Sequence, residues 1–340
     1  MTVEANESAS ETDRAELIEM ITGCWKTQVI GHSVALGMFE RLAPGPTAAS
    51  DLAAAAGVND DGALRLLRAL AVLGLVEHVP GNLFVLTAKG ALLRRDAPDS
   101  LNGMAGHWGG RIWDSFSRLG TSVRTGEASI PSGPEHFSEM QEDEAEADIF
   151  NRAMAEGSLR VGRALAANFD FSGFSRVMDV GGGYGALLVG PLEATPGIDG
   201  RVFDMPPLAD HALAYLAEQG MAGRVDYQGG SFFEAVPPGA DCILLKFILH
   251  DWNDARCGTI LRNCRTAVGQ GTILIVEQIV PETVSPANTG VIRGDLIMLG
   301  IGGKERTAAD YHVLLGDAGL KITRIVPINS NFSAIEARTA

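Results

Sequence analysis

The run "VMDVGGGYGALLVG", Val177 to Gly190, restricts the fold more than any other part of the 340-residue chain. One apolar segment enters a turn with four glycines between Gly181 and Gly185, and another leaves it. Glycine permits a sharp strand-to-helix turn and close approach of a ligand to the backbone. Downstream, strand-like segments alternate with helical ones: "GRVFDMP" (200–206), "RVDYQGGSFF" (224–233), "DCILLKFILH" (241–250) and "GTILIVEQIV" (271–280). This alternation predicts an α/β fold with a doubly wound, mainly parallel sheet wrapped on both faces. Ligands of such sheets sit at the carboxyl ends of the strands, near the topological switch.

The chemistry-bearing residues fall at those ends. Gly181, Gly183 and Ala186 satisfy G-x-G-x-x-A, and Asp204 closes the second strand 23 residues past Gly181. A carboxylate there accepts two hydrogen bonds from a ribose diol. The loop therefore reads as a nucleoside site, for which NAD and S-adenosylmethionine both qualify. Ser231 and Phe232 or Phe233 stand where an adenine would be flanked. His250 ends the fourth strand, Glu277 ends the fifth, and Glu305 lies between a helix containing Met298 and the next helix. Taken singly, His250 beside Asp251 also fits a structural group, and Glu305 between Lys304 and Arg306 fits a surface ion pair. His250 and Asp254 have helical i, i+4 spacing, but nothing completes a ligand set, so no metal is expected.

Length favours two domains. Residues 14–42 carry Leu17, Ile21, Trp25, Val29, Ile30 and Val34 at roughly helical spacing, a stripe that demands a partner surface. Pro46 to Arg94 reads as two helices and a hairpin, a winged helix. Ser50 or Asp51 caps the first helix and Gly57 ends it. Asp60 and Asp61 precede the second, which turns Leu64, Leu67, Leu70 and Leu73 inward and closes at Gly74. Within 47–94, Asp51, Asp60, Asp61 and Glu77 balance Arg65, Arg68, Lys89 and Arg94, and the whole chain carries −15. Nucleic-acid binding needs an excess of base, so no nucleic-acid partner is expected and dimerisation is favoured over a DNA-binding regulator. No apolar run is long enough for a bilayer, so no membrane partner is expected. The start lacks a secretory signal, and its first dozen residues read as loose. Four cysteines without CxxC spacing predict reduced thiols and a cytoplasmic protein. Residues 95–160, with Trp108, Trp113, Phe116 and Met154, read as a helical connector, giving segments 1–100, 101–160 and 161–340. The histidines other than His250, His136 among them, read as structural, with His107 beside Trp108 a possible pocket residue.

The winged N-terminus, "DVGGGYG", "LKFILHDWND", "ILIVEQIVPE" and "DLIMLGIGGKERT" occur in one order over nearly the whole chain. In that combination the chain resembles the S-adenosylmethionine-dependent O-methyltransferases of the caffeic acid/hydroxyindole group, which includes bacterial natural-product enzymes. The resemblance implies a Rossmann-like cofactor domain behind a winged-helix dimerisation domain, a homodimer, and an aromatic hydroxyl as acceptor. It implies cofactor contacts at Gly181, Gly183, Asp204, Ser231, Phe232 and Lys246. Relatives usually carry an acid where Ser231 stands, so charge assistance to the adenine is missing here. It assigns the base to His250, with Glu277 and Glu305 as carboxylate partners. Met154 and Met298 match apolar residues that line cofactor and acceptor, and Asp251 and Trp108 are read as further substrate contacts. Two alternatives share these features: an NAD-dependent oxidoreductase, and a relative that keeps the cofactor but performs decarboxylation or hydroxylation.

Overall fold

The computed structural model describes residues 9–340, apart from the side chains of His136 and Ser138; the expectations for residues 1–8 and His136 lie outside the described residues. Glu11 and Thr12 already belong to a helix. Ser10 accepts the Asp13 N–H, and the Asp13 carboxylate accepts the Ser10 N–H, so a capping box starts the helix Glu11–Thr22. The chain divides into two units, one up to Arg111 and one from Ile112. The stretch 101–160 is shared between them.

In the first unit the apolar stripe forms three helices, Glu11–Thr22, Cys24–Ala35 and Met38–Leu42. Gly37 separates the last two with a left-handed φ of 61°. Strand β1 (Thr47–Ala48) leads directly into the helix Ala49–Ala56. Neither Ser50 nor Asp51 caps that helix, because pairing of β1 brings Ala48 to the N-cap position; Gly57 does end it, left-handed. Asn59 caps the next helix, Asp60–Val72, with Asp60 and Asp61 in its first turn. Strands β2 (Val76–Val79) and β3 (Leu83–Leu86) complete a small antiparallel sheet in the order β1-β3-β2. Leu67 and Leu70 are buried with Leu52, Phe39 and Phe84, which is a winged-helix core. Leu17 and Ile21 point outward, 57% and 68% exposed in the single chain.

The second unit is built on strands β4 (Arg176–Val180), β5 (Asp199–Asp204), β6 (Val225–Gly229), β7 (Cys242–Lys246) and β8 (Thr272–Glu277). A minor parallel pair follows, β9 (Ile279–Val280) with β10 (Arg306–Thr307), and then β11 (Leu320–Pro327) and β12 (Ser333–Thr339). The large sheet runs β11-β12-β8-β7-β4-β5-β6. Strands β4 to β8 are mutually parallel; the terminal hairpin, absent from the sequence reading, adds β12 antiparallel to β8 and β11 antiparallel to β12. Cys242 and Leu244 enter one core and Ile243 and Leu245 the other, so both faces are covered. The order reverses between β4 and β7, which sets the glycine turn beside the loop that carries His250.

The helix after the glycine turn, Ala186–Ala194, packs closely on the long helix Glu144–Asn168. A Cβ on Gly162 would stand 2.3 Å from the Leu187 carbonyl oxygen. Gly162→Ala is therefore expected to separate these helices and cost about 1–3 kcal/mol, read as a lower melting temperature. Among the described residues no helix is long and apolar enough to cross a membrane.

Candidate active site

Gly181 leaves β4 with φ 70°, and Gly183 and Gly185 also have positive φ, so the turn uses a conformation that side chains resist. A Cβ on Gly183 would meet nothing within 4 Å, whereas one on Gly182 would stand 2.8 Å from the Asp179 carboxyl. One side of the loop is thus open and the other is closed by a buried acid. Asp204 accepts hydrogen bonds from Gly183 N–H at 2.7 Å and Met205 N–H at 2.7 Å, one on each oxygen. Each oxygen keeps a lone pair for a further donor. Ser231 accepts from Phe233 N–H within its own turn at 3.3 Å, and the Phe232 ring lies against Gly181.

The fourth strand ends earlier than the sequence suggests. Strand β7 stops at Lys246, Phe247 takes φ 55°, and His250 sits in the 3₁₀ turn Leu249–Asp251. Glu277 holds that turn: its Oε1 accepts the Ile248 and Leu249 N–H groups at 3.1 and 3.2 Å. Two backbone donors that a longer strand would have paired are met by a carboxylate instead. Arg306, 1% exposed, grips the same turn by donating to the carbonyls of Leu249 and Trp252 at 2.6 and 2.8 Å.

Three acids face the imidazole. Nδ1 of His250 lies 3.0 Å from Glu305 Oε1 and 3.8 Å from Glu277 Oε2, and Nε2 lies 3.5 Å from Asp251. A carboxylate only accepts, so Nδ1 carries the proton shared with Glu305. Glu305 is not a surface ion-pair residue: it is 7% exposed, and its neighbours Lys304 and Arg306 pair with Asp254 instead. The spacing of His250 and Asp254 likewise assembles nothing, because Asp254 faces Lys304 and Arg306. One ligand atom each from His250, Glu277 and Glu305 lies within 4.8 Å of the others.

Burial opposes charge on His250, but Glu277, Asp251 and Glu305 outweigh it and hold the ring at about 9. Burial pushes Glu277 up to about 7 against the attraction of the imidazolium. It also raises Asp251 to about 6 and lowers Lys246 to about 8. Lys246 joins the two halves of the site electrostatically, since both Glu277 and Asp179 act on it. Asp179, which the sequence reading passed over, is 2% exposed and raised to about 7 by burial and then by Asp204. Its position just before the glycines in "DVGGG" was the available signal.

The remaining predicted contacts are more scattered. Met154 is half-buried on the helix Glu144–Asn168, and Met298 is buried on the helix Thr289–Ile301. Trp108 and His107 belong to the first unit, in the helix Asn102–Gly109. His107 is buried and lowered to about 4, chiefly by that burial.

The strand order, the glycine turn with its acid at the end of β5, and the carboxylate-held histidine after β7 define a Rossmann-like methyltransferase. An O-methyltransferase domain matches residues 116–321 and an O-methyltransferase dimerisation domain matches residues 18–96. The chain belongs to this O-methyltransferase family. It is 35% identical to a mitomycin biosynthesis 6-O-methyltransferase of Streptomyces lavendulae, over 91% of this chain and 89% of the relative. It is 36% identical to an O-demethylpuromycin-O-methyltransferase of Streptomyces alboniger, over 98% and 91%. A solved O-methyltransferase of neocarzinostatin biosynthesis, in complex with S-adenosylmethionine and 2-hydroxy-5-methyl naphthoic acid, shares 30% identity. It covers 93% of this chain and 96% of its own, with a TM-score of 0.76.

Proposed function

We propose that this enzyme transfers a methyl group from S-adenosylmethionine to a hydroxyl of an aromatic small molecule, with His250 as general base and Glu277 and Glu305 as its partners. The observation that carries this reading is the buried imidazole held by carboxylates at the carboxyl end of the sheet, next to the nucleoside loop. S-adenosylmethionine supplies, when bound, an electrophilic methyl group on a sulfonium.

The residues fit that cofactor. The open side of Gly183 leaves room for it, and the free lone pairs of Asp204 suit a ribose diol. Gly181, Ser231, Phe232 and Lys246 are the further contacts in this reading. His250 takes the acceptor proton at Nε2 while Nδ1 stays on Glu305. An ordinary histidine near 6.5 lies about 3.5 pK units below a phenol near 10, or roughly 5 kcal/mol. With the ring at about 9 the gap shrinks to about one unit. Asp251 and Met298 are read as acceptor contacts, with Met154 on the long helix. Positioning of the acceptor oxygen supplies much of the rate.

Isothermal titration with S-adenosylmethionine, S-adenosylhomocysteine and NAD tests the class, followed by a screen of hydroxynaphthoates for methyl transfer. Binding of both sulfur nucleosides and not NAD supports the reading; binding of NAD alone would sink it. In the same titration Ser231→Asp is expected to tighten S-adenosylmethionine by about 5-fold, because a charged acceptor replaces a neutral one.

The outward face of the helix Glu11–Thr22, with Leu17, Ile18 and Ile21 exposed, is read as the contact with a second copy of this chain. Trp25, Val29 and Leu36 extend that reading along the next helix. Light scattering on the purified protein gives the oligomeric state.

A further inference from the structure

Two non-glycine residues among those described have positive φ: Asn82, at the tip of a hairpin, and Phe247. An aromatic residue in the left-handed region is strained and persists only where its surroundings over-determine it. The surroundings of Phe247 do so. Glu277 fixes the next two N–H groups, and Arg306 fixes the carbonyls of Leu249 and Trp252. The result of that backbone is a specific ring placement. The Phe247 ring stacks on the His250 imidazole at 4.5 Å with an interplanar angle of 12°. Phe332 supports it at 4.9 Å, and Lys246 Nζ lies 4.1 Å from its centre.

The hydrogen bond that Nδ1 donates to Glu305 leaves the imidazole free to rock about the Nδ1–Glu305 axis. A parallel ring against one face removes that freedom. We infer that Phe247 is a positioning residue: its ring fixes the plane of His250, so that Nε2 is aimed at the acceptor, and supports the imidazole when it carries a proton. The support is electrostatic, since the face of an aromatic ring attracts a cation. This inference rests on the reading of His250 as the base. The charged groups around the imidazole are Asp251 on its own turn, Glu277 at the end of β8, and Glu305 before β10, with Lys246 at the end of β7 beyond them.

Three variants separate ring from backbone. Phe247→Trp keeps a ring, Phe247→Leu keeps bulk without one, and Phe247→Gly keeps the left-handed turn without either. Two readouts are used: kcat and KM for hydroxynaphthoate methylation, and NMR titration of the His250 ring in the free protein, assigned by the signal lost in His250→Gln. Phe247→Trp is expected to stay within about 3-fold in kcat. Phe247→Leu and Phe247→Gly are expected to lose about 10- to 100-fold in kcat with little change in KM. In both, the His250 ring is expected to titrate about half a pH unit lower or more. If Phe247→Leu does not fold, Phe247→Gly and Phe247→Trp still decide. Full kcat and an unmoved titration in Phe247→Gly would overturn the inference. If His250→Gln itself retained kcat, the base reading would fall instead, whereas loss in His250→Gln with no effect in the Phe247 variants would remove only the positioning role.

Discussion

Replacing His250 with alanine is expected to lower kcat about 10²- to 10⁴-fold while leaving S-adenosylmethionine affinity within about 2-fold. The range is that of a lost general base. The cofactor should be largely spared because most of its proposed contacts, Gly181, Gly183, Asp204, Ser231 and Phe232, follow β4, β5 and β6, and only Lys246 shares β7 with the turn that carries His250. Removing the imidazole also leaves Glu277 and Glu305 buried with an unmet charge, since Glu277 Oε2 and Glu305 Oε2 already lack hydrogen-bond partners. His250→Gln is the companion variant, because its amide can still donate to Glu305. Both variants should be equally slow if base chemistry is what is lost. A fast His250→Gln would point to a scaffolding role for the ring.

The second large effect is on pH. A base acts in its neutral form, and Glu277, Asp251 and Glu305 hold His250 at about 9. The rate should therefore rise about tenfold per pH unit through neutrality and level off near pH 9, about 100-fold above its value at pH 7. Glu277→Gln removes the strongest charge favouring the imidazolium, so its limb moves to lower pH. The plateau rate falls with it, because a weaker base faces the same phenol. Stability carries the same sign. A histidine whose pKa is raised by folding contributes fully below its ordinary value near 6.5, and that contribution is lost as pH rises through about 9. The melting temperature should drop across that window in the parent protein and drop less in His250→Ala. A pH–rate profile with its limb near 6.5 would show that the carboxylates do not tune the ring.

Much of the fold is legible in the sequence because it is written in local periods. The alternation of apolar segments gives five parallel strands, and the glycine turn after Val180 and the acid at Asp204 mark the end of the sheet read as the cofactor site. The winged helix is equally visible between Pro46 and Arg94. The terminal hairpin, β11 and β12, is missed because β11 is largely exposed and lacks the continuous apolar run of a central strand. The error at Ser50 and Asp51 is of the same kind: a cap was expected from residue type, and a strand pairing decided it.

The sequence by itself determined the order of the motifs and hence which strand ends share one edge of the sheet. Only the tertiary structure decided what surrounds His250. Glu305 lies 55 residues away in the chain, and pairing of β9 with β10 carries it to 3.0 Å from the ring. The neighbours Lys304 and Arg306 suggested a surface ion pair, yet Glu305 is buried and Arg306 clamps the turn. Phe247 gave no signal at all, because its left-handed backbone is imposed by backbone hydrogen bonds to Glu277 and by those that Arg306 donates, not by its own preference. Local pattern reports which face of a segment is buried. Charge coupling depends on distances across the fold, which no period of the sequence encodes.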